Sequence, residues 1–92
     1  MKIYNYKKLV IGKVYKFENV YNGIDYFVDV IKRKRLAATA SSLEKTIVGI
    51  FLGEHDKYYF KLLYKNKIIY FQKDWMHSND LFATEVSVDS SE

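Results

Sequence analysis

The stretch KYYFKLLYKNKIIYFQK, residues 57–73, decides how this chain folds. Aromatic, aliphatic and lysine residues alternate along it with a period of two, the pattern of a β-strand buried on one side. Only Lys65-Asn66 breaks the run, which predicts two antiparallel strands joined tightly at that point. In the first of them Tyr58, Phe60, Leu62 and Tyr64 share one face, expected in the core. Tyr59, Lys61, Leu63 and Lys65 share the other, an aromatic and basic face expected to meet solvent and able to bind.

Working outward, TIVGIFL (46–52) reads as a strand apolar on both faces, and GEHD (53–56) as the turn after it. With 57–73 it forms an antiparallel meander. Gly49 inside that first strand predicts a bulge or a barrel bend. Downstream, DWMHSND (74–80) reads as a loop or one helical turn, with Trp75 and Met76 folding back as a plug. LFATEVSV (81–88) follows as a last short strand, and DSSE is expected to fray. Upstream, KIYNY (2–6) reads as a short strand. Residues 12–18 and 25–32 alternate on either side of Asn22-Gly23, a dipeptide that tolerates positive φ, and are expected to form a hairpin. Between hairpin and meander, RKRLAATASSLEK (33–45) is basic and then small and polar. It is expected to be a loop holding a helical turn, or a short helix, given Leu36, Ala40 and Leu43 at i, i+4 and i+7 and a Ser41/Glu44 capping-box pattern.

The expected fold is therefore mostly β: five to seven short antiparallel strands in a small barrel, with a basic loop or short helix between the N-terminal hairpin and the C-terminal meander. Closure would remove exposed strand edges. The layout resembles an SH3-like barrel, a likeness of pattern that implies no function. The 92 residues suit one domain, read as 1–86 with a frayed acidic tail at 87–92. An aromatic fraction of 17% supplies the burial that a chain of this size needs to offset its ordering entropy.

Composition excludes several classes. There is no Cys, hence no disulfide and no thiolate metal site. No run approaches the roughly 20 apolar residues of a membrane span, and lysines interrupt the N-terminus where a signal peptide would be apolar. A cytoplasmic protein is expected, in the host cytoplasm if the gene is viral. The abundance of Lys, Ile, Tyr, Asn and Phe points to a low-GC genome, a bacterium or one of its viruses or mobile elements. The formal charge is +4, but three of the eleven acids fall in residues 85–92. That leaves fifteen basic residues against eight acidic over 1–84, a formal +7. Such a field attracts nucleic acid, acidic protein surfaces or anionic lipid.

No catalytic set emerges. His55 sits in a turn between Glu54 and Asp56, whose side chains diverge. Asp74, His77 and Asp80 are three apart and would share a helix face, the donor types that suit a divalent transition metal, but the segment is short. Ser41 and Ser42 have no base or elbow motif around them, and the four glycines do not cluster into a phosphate-cradling loop. The sequence predicts no enzyme, no cofactor and no metal.

Basic and aromatic interleaving is the one signal that points to chemistry. Nucleic-acid-binding barrels combine a positive groove with aromatic platforms. The expected contact residues are Lys32, Arg33, Lys34, Arg35, Tyr59, Lys61, Lys65, Lys67 and Tyr70. The function expected is that of a small binding protein or regulator using this face for nucleic acid or a nucleoprotein. The alternative is a viral or mobile-element inhibitor that blocks a host protein by direct contact, since tyrosine and arginine also anchor protein interfaces. A homodimer through a free strand edge is a third expectation.

Overall fold

The 57–73 stretch forms the hairpin its alternation predicts. In the structure, a computed structural model that describes residues 1–21, 23–28 and 41–86 (41–43 by backbone alone), Lys65 and Asn66 both take positive φ, 52° and 64°. Paired left-handed residues make the two-residue turn whose twist matches that of the flanking strands. The described elements are β1 (Val14–Asn19), β2 (Ile24–Phe27), β3 (Ser41–Glu44), β4 (Thr46–Glu54), β5 (Tyr59–Tyr64), β6 (Lys67–Gln72), the single helical turn α1 (Lys73–His77) and β7 (Leu81–Glu85). A 3-10 turn at Tyr6–Lys8 precedes them. The seven strands make one antiparallel sheet in the order β3-β2-β6-β5-β4-β1-β7, curled into a half-barrel. No helix among the described residues is long and apolar enough to cross a membrane.

The meander β4-β5-β6 stands as expected. Two other expectations are corrected. First, β1 and β2, the described strands of 12–18 and 25–32, do not pair with each other. Both edges of β1 are occupied, by β4 on one side and β7 on the other. The chain is turned away as β1 ends, where the Asn19 side chain accepts from Tyr21 N–H at 2.7 Å and Val20 N–H donates to the Asp80 carbonyl at 2.8 Å. The next strand, β2, lies across the sheet against β6 and β3. Second, Ser41–Glu44 is a strand rather than part of a loop or helix, because β2 offers it a partner. Tertiary pairing outweighs a four-residue capping pattern there. Residues 29–40, and the tail expected to fray at 87–92, lie outside the described residues.

The concave face holds the core. Phe17, Phe60 and Phe71, all fully buried, meet with ring centroids 5.3–6.1 Å apart, two of the three pairs edge-to-face. Such pairs contribute about 0.5–1.5 kcal/mol each beyond their burial. Ile24, Ile47, Leu62, Ile69 and Leu81 fill the space around them. Met76 closes one end, fully buried as the plug expectation has it. Trp75 is half-buried against Phe71 and Phe27. Gly49 faces Tyr15 across β1, and a Cβ there would lie 2.8 Å from the Leu63 carbonyl oxygen, so close packing demands its lack of side chain. The irregularity in β4 falls later, between Phe51 and Gly53, where Gly53 has φ 110°.

Among the described residues, Lys73 is the charged residue buried in this core. Its ammonium donates to Glu54 Oε2 and lies 4.7 Å from the Tyr6 ring centroid, while Tyr6 stacks on Phe60 at 6.0 Å. Burial pushes the Lys73 pKa down, but the hydrogen bonds to Glu54 and Tyr6 outweigh it and the net direction is up. The same hydrogen bond from Lys73 holds Glu54 below its ordinary value. This clamp ties the N-terminal 3-10 turn to the ends of β4 and β6.

Candidate binding surface

The convex face of the sheet carries the residues whose chemistry is not used by the core. Alternation along β5 places Phe60, Leu62 and Tyr64 inward and Tyr59, Lys61 and Leu63 outward. Tyr58 departs from the expected inner set. It lies in the turn before β5, 64% exposed, with its N–H bonded to Asp56 Oδ1 at 2.8 Å. Asp56 also accepts from Tyr59 N–H at 2.9 Å, so this carboxylate builds the turn.

The predicted contact residues divide into three groups. Tyr59 and Lys61 are half-buried on the convex face, and Lys61 stands directly opposite Tyr70 of β6. Tyr70, however, is buried at 7% exposure and is no stacking platform. The cause is lateral: β2 crosses β6 at Phe27↔Tyr70, and the His55 ring closes over Tyr70 at 4.9 Å. Lys65 and Lys67 form the second group, exposed at the hairpin tip and away from Lys61. The Lys65 ammonium lies 5.2 Å from the Tyr64 ring centroid. Its pKa is raised, chiefly by a hydrogen bond with the Tyr64 hydroxyl and next by electrostatic coupling to Tyr64 and Glu44. The third group, Lys32, Arg33, Lys34 and Arg35, lies outside the described residues.

Register places the strand ends on either side of this segment on one row of the sheet. Ser41, Phe27, Tyr70, Lys61 and Gly53 stand opposite one another in a single transverse row across five strands. Both strand ends that flank residues 28–40, at Phe27 and Ser41, thus lie on the row of Lys61.

A second row went unremarked in the sequence as a surface. Val14, Ile50, Leu63 and Ile68 stand opposite one another across β1, β4, β5 and β6. Leu63, Ile68 and the neighbouring Val48 are 37%, 42% and 47% exposed. The signal for it was TIVGIFL being apolar on both faces. A half-barrel has only one inner face, so the second apolar set of that strand must lie outside.

The acid–base sets stay dispersed. His77 Nδ1 is 3.9 Å from Asp74 Oδ1, but the Asp80 carboxylate accepts from the Ser78 hydroxyl at 3.0 Å instead of joining them. Among the described residues no group of three His, Cys, Asp or Glu side chains is placed to hold a metal ion. Compared with known proteins, the chain matches no family model, no curated protein and no solved structure.

Proposed function

We propose that this chain is a non-enzymatic binding protein whose convex face engages nucleic acid, or nucleic acid held in a nucleoprotein. The observation that carries the reading is the transverse row that brings Lys61 level with Phe27 and Ser41, the two flanks of the Lys32–Arg35 connector. Lysines on one surface neutralise phosphates together, and among the described residues Lys61 on the face and Lys65 and Lys67 at the hairpin tip supply such charges. With Tyr70 buried, the half-buried pair Tyr59 and Phe27 are the aromatics this face offers for stacking, and phosphate contact dominates. The double variant Lys61→Glu/Lys65→Glu tests the reading. Loss of nucleic-acid binding at an unchanged melting temperature supports it, and unchanged binding by the folded variant removes this face.

A second reading has its own observation. The apolar row Val14–Ile50–Leu63–Ile68 flanked by lysines suits direct contact with an acidic host protein, as an inhibitor encoded by a virus or mobile element would make. Capture from host lysate after nuclease treatment separates the two. A partner kept after nuclease and lost in Ile68→Asp favours protein contact; one lost on nuclease treatment favours the nucleic-acid reading.

The finer fold reading belongs here too. A first strand, a two-strand insertion, a three-strand meander, a helical turn and a closing strand support an SH3-like barrel. Among the described residues β3 and β7 end the sheet; β7 carries the Ile3 bridge, so β3 is the edge that a homodimer would use.

A further inference from the structure

A trough lies on the outer side of the other half of the sheet, with no residue in common with the Lys61 face. Its floor is the transverse row Thr46, Glu18 and Phe82 of β4, β1 and β7. The N-terminal segment forms one wall. Ile3 and Ala83 exchange two backbone hydrogen bonds of 2.7 and 2.9 Å, which lay the flanking Lys2 and Tyr4 alongside Phe82. The Lys2 ammonium is 4.7 Å from the Phe82 ring centroid, and the Tyr4 ring 5.7 Å. Tyr21 and Lys45 also line it, with Asn19 and Val20. The backbone at 20–21 is pinned by the Asn19 and Asp80 hydrogen bonds described above, yet the Tyr21 side chain is 76% exposed. The trough is open to solvent and has a volume of about 510 Å³.

The charge of the trough is lopsided. Among the described residues neither Lys2 nor Lys45 has a carboxylate partner, whereas Glu18 on the floor is offset by the Lys16 ammonium at 3.7 Å. Two ammonium groups without a described carboxylate partner, in a trough that Tyr4, Tyr21 and Phe82 also line, suit a flat ring that carries an anion. An aliphatic anion would leave the rings unused, and an uncharged aromatic would leave the lysines unused.

We propose that this trough binds one nucleotide unit, its base laid on a tyrosine ring and its phosphate held by Lys2 and Lys45. The unit has two sources, a free nucleoside monophosphate or one residue of a single strand. The experiment is calorimetric titration of the full chain with adenosine monophosphate and with a single-stranded oligodeoxyadenylate, at about 50 mM salt, where phosphate contacts are strong. The proteins are wild type, Tyr21→Ala, Lys45→Glu and Lys61→Glu/Lys65→Glu. Wild type is expected to bind at least one of the two ligands. Tyr21→Ala should weaken that binding about tenfold, the usual size of one lost stacking contact. Lys45→Glu should weaken it further and shallow its salt dependence. Lys45 is exposed and makes no ion pair with a described residue, so an unchanged denaturation midpoint is expected for that variant. Binding of the monophosphate identifies a free nucleotide as sufficient; binding of the oligonucleotide alone identifies a strand. Heat from neither ligand overturns the proposal. So does binding that Lys61→Glu/Lys65→Glu abolishes while Tyr21→Ala and Lys45→Glu leave it intact, an outcome that keeps the Lys61 face and discards the trough. The reverse pattern keeps the trough and discards the face.

Discussion

The two faces of β5 are built from the same kinds of residue and do opposite work. Phe60, Leu62 and Tyr64 point inward and are at most 7% exposed, while Tyr59, Lys61 and Leu63, one residue out of phase, point outward. An aromatic ring inward touches other rings on several sides, as Phe60 does with Tyr6, Phe17, Phe51 and Phe71. Among the described residues, the ring of Tyr59 outward meets one other ring, that of Phe27, edge-on at 6.2 Å. The difference teaches that residue type does not separate stability from binding in this sheet; phase along the strand does, because a one-residue shift exchanges the faces.

That contrast breaks most visibly at its centre. Phe60→Ala removes a fully buried ring at the middle of the aromatic cluster and is expected to cost about 3–5 kcal/mol, read as a lowered midpoint in urea. A loss under 1 kcal/mol would show that the inner face is not the core. Gly49→Ala probes the same face from the backbone side. Its new methyl would meet the Leu63 carbonyl oxygen at 2.8 Å, so β4 and β5 must separate, at a cost of about 1–3 kcal/mol by the same measurement.

The Lys73–Glu54 clamp sharpens the comparison through pH. Glu54 is held below its ordinary value of 4.5, so its contribution is complete above that value and lost as pH falls through the lower value of the folded state. Lys73 is raised above 10.5, so its contribution is complete below 10.5 and lost only as pH climbs through its higher folded value. The clamp therefore acts fully across neutral pH and weakens in acid. Glu54→Gln is expected to lower the melting temperature at pH 7 and to remove part of the acid-side decline below about pH 4.5. An acid limb identical to wild type would show that Glu54 takes no part in it. The smallest effect belongs to the outer face: Lys61→Glu/Lys65→Glu should change stability by no more than about 0.5 kcal/mol.

What was legible in the sequence was local. The inward set Phe60, Leu62 and Tyr64 and the turn at Lys65-Asn66 follow from neighbours a few residues apart, and so does the plug at Met76. What was not legible depended on partners far along the chain. The alternation of β1 reads the same whether its partner is β2 or, as found, both β4 and β7. Tyr70 has the phase of an exposed residue, but β2 lies across it, and nothing in residues 67–73 records that. The trough joins Lys2 to Phe82 through one bridge at Ile3, a contact between the two ends of the described chain that periodicity cannot signal. The outward apolar row was half legible, since 46–52 is apolar on both faces and only the count of layers was missing.

The most direct measurement follows Trp75 fluorescence during titration with short single-stranded and double-stranded nucleic acid at two salt concentrations. Trp75 stacks on Phe27 at 6.1 Å, and Phe27 meets Tyr59, so the reporter adjoins the proposed face. The account predicts binding that weakens steeply with salt, with log K against log salt falling at about −2 to −3 if three or four phosphates of a single strand are neutralised. No change with any nucleic acid at low salt, in a protein that remains folded, would contradict it.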